Sequence, residues 1–334
     1  MKNIVIKPST ARMLMPGLSD RFPPNSTPLN PMKVRKIQTG DCPQPTMTSL
    51  PPVIVGRMAK GGVGKTTVIG NVGSALAMMG HKVLMVDGDP QATLTGLMGV
   101  DWMKDSLVHI GILMHRTYHR QPVLLEQAIE RIYPDGHLDL IPADITLTDA
   151  ESWMMGAANR EQLFVRLLRE NQGFFSRYDC ILVDTAPATC LLTNALMMAT
   201  REIVAVAWLD GSSVKALRVL NANIVELNAA FPDLNMNIHI VANGWHGSYK
   251  ICQSSLEELS AQWPGHVCET VIPNAAPFRR QISPHDDGET GTVIEKEPDS
   301  QSAEVIAELT RTLANRYGVG FTAQENSPEA GEVA

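Results

Sequence analysis

The chain has little of what marks exported, metal-clustered or membrane-spanning proteins. Its 334 residues hold five cysteines (Cys42, Cys180, Cys190, Cys252, Cys268), with no CxxC pair and no Cys/His run. That indicates neither a disulfide framework nor a zinc site and fits a reducing compartment. No uninterrupted apolar stretch reaches the ~18 residues of a membrane span. The opening MKNIVIKP holds only Ile4-Val5-Ile6 before Lys7 and Pro8, too short a core for a signal peptide. A cytoplasmic protein is expected. Charged residues are sparse at 19%, below the globular average of roughly 25%, but 44% of residues are apolar, so disorder along the whole chain is excluded. Lys and Arg number 28 against 35 Asp and Glu, for a net charge of −7. A surface coated in positive charge is excluded, although a local basic patch on an acidic body can still hold phosphates.

The charge and the prolines are unevenly placed. Residues 1–52 carry 10 of the 22 prolines, and seven basic residues (Lys2, Lys7, Arg12, Arg21, Lys33, Arg35, Lys36) stand against Asp20 and Asp41. No helical or alternating pattern survives there, so 1–52 is expected to be a disordered basic arm, either a solvated leader or an accessory contact to DNA or a partner. From Val53 to Tyr317 short β-branched runs alternate with helical stretches, and 318–334 is an acidic tail expected to be disordered. Strands are expected at 53–58, 82–86, 138–142, 179–183, 201–208, 237–242 and 267–272. Several are continuously apolar, as strands buried on both faces are. Between the first two, Ile69, Val72, Leu76 and Met79 recur at helical spacing, and Gly80 supplies the stop. Strand, helix and strand within about 35 residues make a βαβ unit, so the chain is expected to be an α/β protein with a mostly parallel sheet and helices on both faces.

The most informative residues are Lys60-Gly61-Gly62-Val63-Gly64-Lys65-Thr66-Thr67, directly after the first strand and opening the first helix. Glycines let backbone N–H groups turn toward phosphate oxygens, and the helix N-terminus adds partial positive charge. Lys65 then reaches the terminal phosphates, and the Thr66 hydroxyl binds Mg²⁺. The second strand runs into Asp87-Gly88-Asp89-Pro90 and the fourth into Asp184-Thr185-Ala186-Pro187. Carboxylates at the carboxyl ends of parallel strands lie where such sheets bind ligands. Phosphoryl transfer to water needs a metal and a group that orients the water. Asp184, after an apolar strand, suits the metal role.

The loop departs from the common GxxxxGK pattern at Ala59, and a second lysine, Lys60, follows. In this deviant form, KGGxGKT, the chain resembles the ParA/MinD class of P-loop ATPases, and most closely the ParA partition ATPases, over about residues 52–317. The resemblance implies ATP and Mg²⁺ as cofactors and an ATP-sandwiched homodimer in which Lys60 reaches the partner's nucleotide; spacing alone says only that Lys60 is near phosphate. It implies that Asp87 supports the metal site and Asp89 positions the water. Asn243 falls where relatives use Asn to bond adenine, with a turn-forming Asn-Gly as the alternative. Pro273 matches the turn that lines the base, but the Arg-Asn that follows it in the family is Asn274-Ala275 here.

The resemblance further implies non-specific DNA binding by the ATP dimer, nucleoid association, and release by a ParB-like centromere-binding partner that stimulates hydrolysis. Relatives use basic residues after the Asn243 and Pro273 positions. Here Ser248 and Pro277 occupy the matching places, leaving Lys250, Arg279 and Arg280 as displaced candidates, with Lys215 and Arg218 weaker ones. Two other readings compete. A MinD-like positioning ATPase needs a basic amphipathic carboxyl terminus, whereas 319–334 has Glu325, Glu329 and Glu332 and no Lys or Arg, so no stable membrane association is expected. An iron–sulfur carrier or a metabolic ligase on the same fold is the third, and the carrier should offer paired cysteines.

Overall fold

A computed structural model describes residues 50–104, 107–282 and 290–319; the basic arm up to residue 49 and the tail from 320 onward lie outside them. Eight strands form one sheet: β1 Val53–Gly56, β2 Val83–Gly88, β3 Glu130–Arg131, β4 Leu138–Ile141, β5 Cys180–Thr185, β6 Glu202–Trp208, β7 Asn237–Trp245 and β8 Ile272–Pro273. Their order is β3-β4-β2-β5-β1-β6-β7-β8. Neighbours pair in parallel except β3, which runs antiparallel to β4 at one edge. Every residue of β1, β2, β4 and β5 is buried, the burial pattern of strands covered on both faces.

Six of the seven expected strands form within a few residues of their sequence bounds. The seventh, 267–272, does not form as a continuous strand. Val267 makes a single parallel bridge to Ile240, and the ladder resumes only at Ile272–Pro273, after an irregularity in β7 between Asn243 and Trp245. Gly244, inside that irregularity, has φ +81, a backbone turn that interrupts regular pairing.

The helix Lys65–Met78 buries all but one of its residues. Its expected apolar positions Ile69, Val72 and Leu76 are fully enclosed, and Gly80 follows it with φ +93. Against this helix packs the amphipathic helix Gln301–Tyr317, whose Ile306, Leu309 and Leu313 are all buried. Ser300 caps its start by accepting from Ala303 N, and Gly318 ends it in the left-handed conformation. From β1 the chain crosses to one half of the sheet through β2 and β4, and after β5 it proceeds to the other half through β6 and β7. The loop after β1 therefore lies at the point where strand order reverses, at the carboxyl edge where such sheets bind ligands.

Candidate nucleotide site

The loop 60–64 links β1 to the helix Lys65–Met78 through a backbone that glycine permits: Gly62 has φ +71 and Gly64 φ +89. At Gly64 there is also no room, since a Cβ would stand 2.4 Å from Asn243 Nδ2. Gly64 is the N-cap, no side chain caps the helix, and its first turn carries no acidic residue. The helix start is thus a cluster of N–H donors facing the loop, an arrangement that favours an anion.

Register brings the acidic residues together. Asp184 of β5 lies between Gly56 of β1 and Asp87 of β2, and both carboxylates are fully buried. Asp184 Oδ2 accepts a 2.6 Å bond from the Thr66 hydroxyl. Its Oδ1 is buried with no hydrogen-bond partner among the described residues. Burial pushes Asp184 up to about 6, against the opposing pull of Lys65 and the Thr66 bond. Asp87 is pushed up to about 7 by burial and then by the Asp184 charge. Its Oδ2 accepts from Thr95 N at 2.9 Å and Thr95 Oγ1 at 2.7 Å, and its Oδ1 from Asp89 N at 3.1 Å. Thr95 Oγ1 in turn accepts from Ala143 N, so Asp87 is fixed to β2, to the turn after it and to the end of β4. Asp89 is half-buried and accepts from Gln91 N. Lys65 is buried, and that burial lowers its pKa while Asp184 and Asp89 oppose the shift.

The remaining candidates divide. Lys60 binds Asp210 in its own chain at 2.5 Å and also the Ser212 hydroxyl. Asn243, at the end of β7, donates from Nδ2 to the Val63 carbonyl at 2.8 Å and accepts from Gly244 N. It also lines a small pocket with Gly64, Thr67, Trp208, Pro273 and Arg279, so it belongs to the loop's support and to the wall beside it at once. Arg279 is exposed at this pocket, whereas Arg280, one residue on, is ion-paired with Glu297. Lys250 stands exposed as the first residue of the helix Lys250–Gln262. Of the weaker candidates, Lys215 is exposed and Arg218 bonds Gln262. A larger cavity of about 900 Å³ opens elsewhere, between Leu50, Arg201 and Phe231, and none of the motif residues lines it.

Arg57, inside the expected strand 53–58, is not among the candidate residues of the sequence. It is fully buried and bonds Met58 O, Pro187 O and Thr189 Oγ1. The one available signal was a charged residue three positions before the loop in an otherwise apolar run.

A parallel sheet with a glycine loop at its reversal point, an uncapped helix start and two strand-end aspartates beside the loop's Lys and Thr defines a P-loop nucleotide-binding fold. The family model described as AAA domain (AAA_31) matches residues 52–240, more than half of the chain. A ParA family protein of Chlamydia trachomatis is 30% identical over 260 residues, covering 76% of this chain and 94% of that one. The cell division protein PomZ of Myxococcus xanthus is 24% identical over 257 residues, covering 77% and 76%. Among solved structures, an ATP complex of a McdA variant from Cyanothece aligns with a TM-score of 0.67 at 19% identity, covering 83% of this chain and all of that one. The chain belongs to the ParA family of partition and positioning ATPases.

Proposed function

We propose that the chain is an ATP-driven switch that dimerises around ATP, binds DNA without sequence preference in that state, and is released by a ParB-like partner that stimulates hydrolysis. The observation that carries the reading is the Thr66–Asp184 pair beside Lys65, with one oxygen of Asp184 buried and unbonded. That oxygen and the Thr66 hydroxyl suit a hard cation, which prefers oxygen ligands. Among the described residues no group of three His, Cys, Asp or Glu gathers into a metal site, so substrate phosphates and water would complete the shell. Mg²⁺, when bound, offsets the phosphate charge that builds up in transfer to water. Lys65 compensates phosphate charge in the ground state, and the amides at the start of the helix orient the same oxygens. Asp87 holds the turn that carries Asp89, and Asp89 accepts a hydrogen bond from the attacking water and so positions it. Lys60 leaves Asp210 for the partner's phosphates on dimerisation. An exposed pair of this kind is worth at most about 1 kcal/mol, so it does not prevent that movement.

Lys65→Ala should abolish nucleotide binding, whereas Asp89→Ala should bind ATP normally and hydrolyse it at least about 100-fold more slowly, because only the second residue acts on the water. Fluorescent-nucleotide binding and phosphate release measured on both variants test this. Wild-type turnover by Asp89→Ala would remove the water-positioning role.

A second reading, a positioning ATPase that does not use DNA, draws support from the basic candidates: Arg280 is neutralised by Glu297, and Arg279 borders the pocket beside the loop.

A further inference from the structure

Arg57 follows β1, and its backbone N–H bonds Val204 O of β6 at 2.9 Å, so its start point is fixed in the sheet. Its guanidinium is wholly buried. Nη1 donates to Met58 O at 2.6 Å and to Pro187 O at 2.9 Å, and Nη2 to Thr189 Oγ1 at 3.0 Å. Nε is buried without a partner. These three bonds go to two carbonyls and a hydroxyl, none to a carboxylate. Burial brings the group down only to about 10, so it stays charged at neutral pH. A buried cation held by dipoles alone is costly, and beyond its neighbour Met58 its two other bonds single out one segment.

That segment is residues 186–190, which leaves the active edge immediately after Asp184 and Thr185. At its far end Glu151 accepts from Leu191 N at 3.1 Å and Leu192 N at 2.8 Å. At its near side Pro187 lies beside the phosphate loop, 4.0 Å from where a Cβ on Gly61 would be. Arg57 thus joins the root of the phosphate loop to the segment continuing from the metal-site aspartate, with no carboxylate intermediary. We infer that Arg57 is a positioning residue that makes segment 186–190 follow the state of the phosphate loop, so that nucleotide exchange in the loop is transmitted to the surface after β5.

The inference rests on the ATPase reading for its trigger, and the experiment separates the two. Arg57→Lys keeps the charge and loses the fork. Thr189→Ala removes one bond at an exposed position, so it leaves the core intact. Hydrogen exchange at the amides of Ala186, Ala188, Thr189 and Cys190 is measured on the full chain alone, with ADP and Mg²⁺, and with a non-hydrolysable ATP analogue and Mg²⁺. Fluorescent-nucleotide affinity and turnover are measured alongside. In the wild type the segment's exchange should differ between the two nucleotides. In both variants it should be about 5- to 10-fold faster and lose that difference, with turnover down by a similar factor and nucleotide affinity within about twofold. Unchanged exchange in both variants, or affinity falling as much as turnover, overturns the inference. A wild type that binds no nucleotide defeats the ATPase reading instead, and the nucleotide-free exchange still decides whether Arg57 holds the segment.

Discussion

At the scale of single residues the site is governed by two carboxylates that burial drives toward neutrality. An aspartate whose pKa is raised in the folded protein binds more protons folded than unfolded. Its stabilising contribution is therefore complete below the ordinary value near 4 and is lost as pH rises through the folded value. For Asp87, at about 7, and Asp184, at about 6, the nucleotide-free protein should lose stability from pH 5 to 8. Asp87→Asn removes the larger shift and keeps an acceptor for Thr95, so its melting temperature should exceed wild type at pH 8 and fall less steeply between pH 5 and 8. Equal slopes for the two proteins would remove the burial argument for Asp87. A cation needs the ionised carboxylate, so nucleotide with Mg²⁺ should bind with net proton release near pH 6.5, which calorimetry in two buffers of different ionisation enthalpy measures.

At the scale of elements, burial on both faces made most strands legible. Continuous runs such as Val83–Val86 and Ile181–Val183 have no polar face to hide. The strand β3 was not legible because its two residues, Glu130 and Arg131, carry no apolar signal and lie at an edge. The run 267–272 misled for the opposite reason: Cys268 and Ile272 are buried as strand residues would be, but the turn at Gly244 breaks the ladder they would join. The glycine loop was legible because its chemistry is local. Asn243 is a candidate through the resemblance, but its bond to the Val63 carbonyl and the whole role of Arg57 were not legible, since each acts on a segment more than a hundred residues away in the chain. The two meanings of Asn243 make different predictions. If its amide chiefly supports the loop, Asn243→Ala leaves the buried Val63 carbonyl unpaired and should lower stability without nucleotide by about 1–3 kcal/mol and weaken every nucleotide alike. If it chiefly reads the base, stability should hold and only the preference for adenine should fall. Chemical denaturation together with competition by ATP and GTP separates them, and the 2.8 Å bond to Val63 O favours the first.

For the whole molecule the question is whether an acidic protein binds DNA, and by which surface. The sequence totals −7 with about +5 in residues 1–52, so the remainder carries about −12, and its long-range field opposes a polyanion. Binding must then come from short-range contacts multiplied by dimerisation. If Lys250 and Arg279 of each subunit neutralise phosphates, four contacts should give a slope of log affinity against log salt of about −4. Recruiting Arg280 as well would take it to about −5, at the expense of its pair with Glu297. Affinity should therefore appear only in the ATP state, and Lys250→Ala or Arg279→Ala should each flatten the dimer's slope by about 2. Arg280→Ala should change it least, and sequence preference should not move, since phosphate contacts carry no base information. Deleting residues 1–49 tests the rival origin, because that basic stretch would bind regardless of nucleotide. Titrations of random duplex DNA at several salt concentrations, with ADP and with ATP, distinguish the cases: nucleotide-independent binding that vanishes on truncation assigns the contact to the arm. No binding in any form would leave the positioning ATPase without DNA as the reading of this fold, with the surface after β5 rather than the basic residues as its output.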